Sequence, residues 1–139
     1  MTPRTTPARA RSLRPVPDVL DLRALLAGLA PDRHDFAEVF RAPGDSLSLT
    51  VARWPAGSVD DQQPHTEDEV YYVAAGRGTL TIGADVVAVA PGTVAFVAAG
   101  VEHRFGDITE DLEVLVFWSP ARHRNGLHMQ ERGSWSYDR

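Results

Sequence analysis

The sequence predicts an all-β fold, an antiparallel sandwich or barrel with one short helix on its N-terminal side. Three observations predict it. From Ser46 onward, short runs rich in Val, Ile, Leu, Phe and Tyr follow one another closely. Between them stand breaks with turn chemistry: Pro55-Ala56-Gly57, Ala75-Gly76, Gly83-Ala84-Asp85, Pro91-Gly92 and Ala99-Gly100. No helical pattern separates the runs, as a parallel βαβ sheet would require.

In chain order, residues 1–17 are a Pro- and Thr-rich arm carrying Arg4, Arg9, Arg11 and Arg14, and the expectation is a solvated, disordered terminus. Asp18 is placed to cap a helix running to Leu29, which Pro31 ends. Val19, Leu22, Leu25, Leu26 and Leu29 form one apolar stripe on it, suited to packing against the body or a partner subunit. The segment 18–45 is therefore helix and connector. Strands are expected at 47–54, 70–75, 78–82, 86–90, 94–97, 102–105 and 112–118, which places the barrel at 46–119. Residues 120–139 are a polar tail whose Trp135 and Tyr137 either fold back over the body, cover a sheet edge or stay loose.

Composition narrows the function. At 139 residues and 15.2 kDa, with 43% hydrophobic and 24% charged residues, the chain suits one domain with a real core. It has no cysteine, which excludes disulfides, thiolate metal sites and cysteine nucleophiles. Every one of the 14 cationic residues is arginine, which excludes Schiff-base chemistry and a P-loop lysine. The net charge of -5 hides an asymmetry: beyond the arm, ten arginines face nineteen acids. An acidic body argues against nucleic acid as a partner. No apolar run approaches the roughly 20 residues that span a bilayer, so no membrane partner is expected. The arm lacks the apolar core of a signal peptide, and a cytoplasmic protein is expected.

The five histidines are His34, His65, His103, His123 and His128. His65 and His103 lie inside the β region. In an extended chain Gln63 and His65 share a side, with Pro64 enforcing extension between them. A turn through Thr66–Asp68 would return Glu69 at the start of the next strand. A strand that points His103 inward beside this segment would bring two imidazoles, a carboxylate and an amide to one place. By the same parity Gln62 faces away, toward the surface, and Glu67 and Asp68 form an exposed acidic turn. Tyr71 shares a face with Glu69 and Val73 and could line a pocket, either orienting substrate and donating a proton or packing in the core. Phe105 follows His103 in phase and would supply an apolar wall, as would Phe96 or Val97. Arg53, in phase with Leu47, Leu49 and Val51, either enters the barrel to bind a carboxylate or pairs at its rim. His34, His123 and His128 are expected at the surface.

The segment from Gly57 to Gly76 and the segment from Gly92 to Asp107 together resemble the cupin family of small jelly-roll barrels. The first family motif is Gly, five residues, His-x-His, three or four residues, Glu, six residues, Gly; every spacing is present, with Gln63 at the first histidine. The second is Gly, five residues, Pro-x-Gly, two residues, His, three residues, Asn; here Ala98 stands at the proline and Asp107 at the asparagine. The resemblance covers residues 46–119 and implies a double-stranded β-helix, that is, a jelly-roll cupin barrel. It implies a single divalent metal ion held by His65, Glu69 and His103, with Gln63 as a fourth ligand, as a partner of metal-bound water, or as the mark of a decayed site. Two imidazoles and one carboxylate suit non-haem Fe(II), which is favoured over Zn, Mn, Ni or Co. The implied activity is on an organic small molecule: an oxygenase, or an isomerase or cyclase, with Tyr71 and Glu69 as catalytic groups and Tyr71, Phe105 and Arg53 around the substrate. A cupin that binds metal or metabolite without turnover is the alternative, and a homodimer is expected in either case.

Overall fold

A computed structural model describes residues 19–123 and two further short strands at Leu127–Met129 and Trp135–Tyr137. The basic arm, Asp18 and the side chains of His128, Trp135 and Tyr137 lie outside the described residues. One helix, α1 (Leu22–Ala27), precedes six strands: β1 (Asp35–Arg41), β2 (Ser48–Trp54), β3 (Asp68–Ile82), β4 (Asp85–Val89), β5 (Val94–Val97) and β6 (His103–Ser119). Leu127–Met129 and Trp135–Tyr137 form a separate hairpin, β7 and β8.

The strands form one antiparallel jelly-roll barrel sheet in the order β1-β2-β6-β3-β4, with β5 added along the first part of β3. β3 and β6 are its axis. Each absorbs two of the expected strands, because the breaks at Ala75-Gly76 and near Ile108 are register shifts within continuous pairing rather than turns. At the first of these, Gly76 has φ +94°, and a Cβ there would stand 2.2 Å from the Asp111 carbonyl oxygen. Only glycine permits that approach. The ribbon of β3 and β6 can therefore bend back over itself.

Two features depart from the expectation. β1 lies in the segment assigned to the connector; its exposed, charge-bearing edge position gives it no clean alternation, and it pairs with β2 through a bulge near Val39. The helix starts later than expected, at Leu22, where Asp21 is the cap and accepts a bond from Ala24 N at 3.2 Å. Among the described residues no helix is long and apolar enough to cross a membrane.

Both faces of β2 are covered. On the inner face Ala52 and Trp54 join Tyr71, Val73, Leu80, Phe105, Leu112, Val114, Val116 and Trp118 in the barrel core. On the outer face Val51 packs under Leu26 and Leu29, with Leu22, Leu25 and Leu115 beside them. The inner half of the helical stripe is thus used within the chain, while Val19 is left 74% exposed.

Candidate metal centre

Glu69 opens the inward face of β3 and is 1% exposed; His103 opens β6 and is also 1% exposed. His65 sits in the irregular segment before β3. Its carbonyl accepts a bond from Gly100 N at 2.7 Å, while Ala99 N donates to the Asp68 carboxylate at 2.8 Å. These two bonds dock the turn before β6 onto the segment before β3, and so bring together the two stretches in which the histidines lie.

The result is a cluster in which one donor atom from each of His65, Glu69 and His103 lies within 4.8 Å of the others. Glu69 Oε1 is 2.9 Å from His103 Nε2 and 3.8 Å from His65 Nε2, and the two imidazole centroids are 5.0 Å apart. His103 Nδ1 lies 2.7 Å from the Val101 carbonyl. A carbonyl only accepts, so Nδ1 carries a proton and Nε2 is the nitrogen turned to the cluster, bare whenever the ring is neutral. Despite its closeness to Glu69, His103 Nε2 is not aligned for a hydrogen bond. It and Glu69 Oε2 are buried with no hydrogen-bond partner. Buried polar atoms are rarely left so. Two unpartnered buried atoms on residues whose donor atoms cluster within 4.8 Å, with a second imidazole beside them, fit a divalent cation.

Before any ion binds, Glu69, His103 and Tyr71 all hold their protons more tightly than free groups do. Burial lifts the Glu69 carboxyl above its ordinary value, with His103 and Tyr71 pulling the other way. Burial pushes His103 down, but the Glu69 carboxylate outweighs it and leaves the imidazole above its ordinary value. Tyr71 is pushed well above the usual phenol value by burial and then by the Glu69 and Asp60 charges, so it remains a neutral O–H.

His65 and Glu69 open on a cavity of about 390 Å³, whose lining does not include His103. Aromatic faces make much of its wall: Trp54, Trp118, Tyr71 and Phe36, with His34 stacked on Trp54 at 4.7 Å. The Arg122 guanidinium lies over the Phe36 and Trp118 rings, at 5.1 and 5.5 Å from their centroids.

Several site expectations change. Gln63 lines the cavity, and its amide nitrogen donates to the Asp61 carbonyl at 3.1 Å. Gln62 lines it as well rather than facing the surface, because residues 55–64 form no strand and parity does not carry through them. Glu67 is 1% exposed rather than part of an exposed turn; Oε2 accepts from Thr66 Oγ1 and Oε1 is orphaned. Asp68 is exposed, as expected. His34 and His123 line the cavity instead of the outer surface. Phe105 does not line it: its ring packs behind the lining, 5.0 Å from both Tyr71 and Trp54. Val97 is buried in the core while Phe96 is 59% exposed.

Arg53 is the largest correction. It occupies the outer face of β2, beneath α1, and does not reach the cavity. Its guanidinium pairs with Glu113 of β6 and donates to the carbonyls of Leu26, Leu29 and Ala30 at the end of the helix. Its phase with Val51 is right, but with both faces of β2 covered that phase does not select the interior. Sequence reasoning also missed Asp60, 6% exposed at the cavity wall, because nothing in an Asp-Asp-Gln-Gln run marks which acid turns inward.

Comparison with known proteins gives the same frame. The profile of the cupin domain family matches residues 50–119. An uncharacterized protein of Streptomyces coelicolor is 47% identical over 75 residues, covering 54% of this chain and 71% of that one. The crystal structure of TT1209 from Thermus thermophilus superposes with a TM-score of 0.62 at 25% identity, over 74% of this chain and 97% of that one. A cupin 2 conserved barrel domain protein from Rhodopseudomonas palustris superposes with a TM-score of 0.58 at 20% identity, over 67% of this chain and 66% of that one.

Proposed function

The chain belongs to the cupin domain family, and from that premise we propose that it holds one divalent ion on His65, Glu69 and His103 and acts on a planar organic small molecule. The observation that carries this reading is the cluster of His65, Glu69 and His103 donor atoms within 4.8 Å of one another, with Glu69 Oε2 and His103 Nε2 buried and without a hydrogen-bond partner. Fe(II) is the favoured ion, since two imidazoles and a carboxylate leave open positions of the kind non-haem iron uses; Zn, Mn, Ni or Co would fit the same donors. Gln63 offers its amide oxygen as a fourth, weaker donor, its nitrogen being engaged with Asp61. When bound, the ion supplies Lewis-acid polarisation of a substrate oxygen or, if redox-active, oxygen chemistry.

The chain's own groups do the rest. Trp54, Trp118 and Phe36 give a flat, conjugated substrate faces to lie against and keep water from it. Tyr71, neutral and fixed, is the proton donor at the base of the cavity. Glu69, 3.3 Å from the Tyr71 hydroxyl and 2.9 Å from His103 Nε2, is buried and has no arginine partner among the described residues. Either an oxygenase or a non-redox isomerase or cyclase uses this set. The presence of Gln63 where an imidazole would bind more firmly favours a second reading, a cupin that binds metal or metabolite without turnover.

Elemental analysis tests the proposal. Protein purified without added metal is expected to carry a single ion per chain, lost in both His65→Ala and His103→Ala while folding is retained. An empty site in folded wild-type protein at saturating Fe(II) and Zn(II) overturns it. Oxygen uptake by the Fe(II) form separates the oxygenase from the non-redox reading; turnover with Zn(II) under anaerobic conditions decides for the latter.

A homodimer is part of the proposal. α1 covers the outer face of the sheet over β2 and β6, but Val94 and Phe96 of β5, paired with Tyr72 and Val70 of β3, leave an apolar strip exposed beside the edge of β5 that pairs with no described strand.

A further inference from the structure

Tyr71 carries one hydroxyl proton and faces two acceptors. Glu69 Oε1 is 3.3 Å from its oxygen and Gln62 Oε1 is 3.5 Å away. A phenol donates once, so one of the two goes without it at any moment.

Asp60 decides that Gln62 presents oxygen there. The Gln62 amide nitrogen donates to Asp60 Oδ2 at 2.6 Å, and an ionised carboxylate can only accept. The NH₂ end is thereby committed, and Oε1 is the end left for Tyr71. Asp60 is itself pinned, accepting from Phe105 N at 2.8 Å and from Gln62 N at 3.1 Å. Arg104 Nε donates to the Gln62 carbonyl at 3.2 Å, so the glutamine backbone is held on both sides. An otherwise strandless segment is fixed at the one residue that reaches the tyrosine.

We propose that Asp60 and Gln62 are positioning residues that set the direction of the Tyr71 hydroxyl. With the amide held by Asp60, the proton can swing to Gln62 Oε1 and leave Glu69 Oε1 its full negative charge. Without that second acceptor the proton stays on Glu69 and competes with any cation for the same oxygen. The effect on a cation rests on the metal reading above; the direction of the proton does not.

Two substitutions reach this arrangement by different routes. Gln62→Leu removes the acceptor. Asp60→Ala removes Oδ2, the oxygen that holds the Gln62 amide nitrogen, so the amide is free to turn and offer Tyr71 a donor. Both should confine the proton to Glu69. In metal-free protein the infrared C–O stretch of Tyr71, isolated by subtracting the spectrum of Tyr71→Phe, is expected to shift in the same direction in both variants. Calorimetric titration with Zn(II) is expected to show about tenfold weaker binding in each. Neither should add a further loss in the Tyr71→Phe background, because the tyrosine transmits the effect. An unmoved stretch in both variants overturns the proposal, as does an undiminished loss of affinity when Tyr71 is absent. If the wild-type protein takes up no Zn(II), the metal reading fails, and the infrared band alone decides where the proton lies.

Discussion

Glu69 and His103 meet at 2.9 Å although they stand at opposite ends of the same two-stranded ribbon. In the β3–β6 register Glu69 pairs with Trp118 and His103 pairs with Ile82. The thirteen steps from Glu69 to Ile82 would hold them far apart in a flat sheet, at roughly 3.3 Å per residue. The ribbon must therefore double over, and the cluster exists only while it does.

The bend sets the first prediction. Gly76→Ala places a methyl group 2.2 Å from a backbone oxygen of β6 at a φ of +94°, and neither strand can yield without losing the register. A loss of at least about 3 kcal/mol is expected in urea denaturation. Gly92→Ala, at φ +95° with nothing within 4 Å, is expected to cost about 1–2 kcal/mol. Similar losses at the two sites would mean that the close approach is not what Gly76 serves.

Arg53→Ala should leave Glu113 without its partner and three carbonyls of the α1 end without their donor. The expected cost is about 2–3 kcal/mol, at the low end for a buried pair because Glu113 keeps some solvent. Metal content should be unchanged. A variant of normal stability but altered substrate binding would return Arg53 to the cavity.

Glu67 gives a pH signature. Burial raises its carboxyl above the ordinary value of 4.5, so the folded state holds this proton more tightly than the unfolded chain does. The stability it contributes is present below the unfolded value and lost as pH rises through the folded one. Glu67→Gln removes that loss. Compared by urea midpoint, the variant should gain on the wild type as pH rises above 4.5 and level off once the folded-state carboxyl has ionised. A constant difference across that window would refute the assignment.

The exposed strip predicts assembly. Phe96→Asp and Val94→Asp together should convert a dimer to a monomer in sedimentation at micromolar concentration, with metal content preserved. A wild-type mass of one chain would dispose of the dimer.

The spacing of the two glycine-bounded segments made the cluster legible, since each places a chemically committed residue at a fixed distance from a turn. Alternation carried Glu69, Tyr71 and Val73 to one face because β3 is regular there. It failed for Gln62 because no strand runs through residues 55–64. It failed differently for Arg53: the phase was right, but β2 is covered on both sides, and periodicity cannot distinguish two buried faces. β1 was illegible because an edge strand with Asp35, Glu38 and Arg41 spread along it has little apolar surface to alternate.

The contact of Gly100 N with His65 O joins main chain to main chain. Replacing either imidazole removes no atom of it, so this tie between the two segments does not depend on the histidine side chains it presents. Such a barrel can shed its chemistry, or exchange it for another, and still keep its shape.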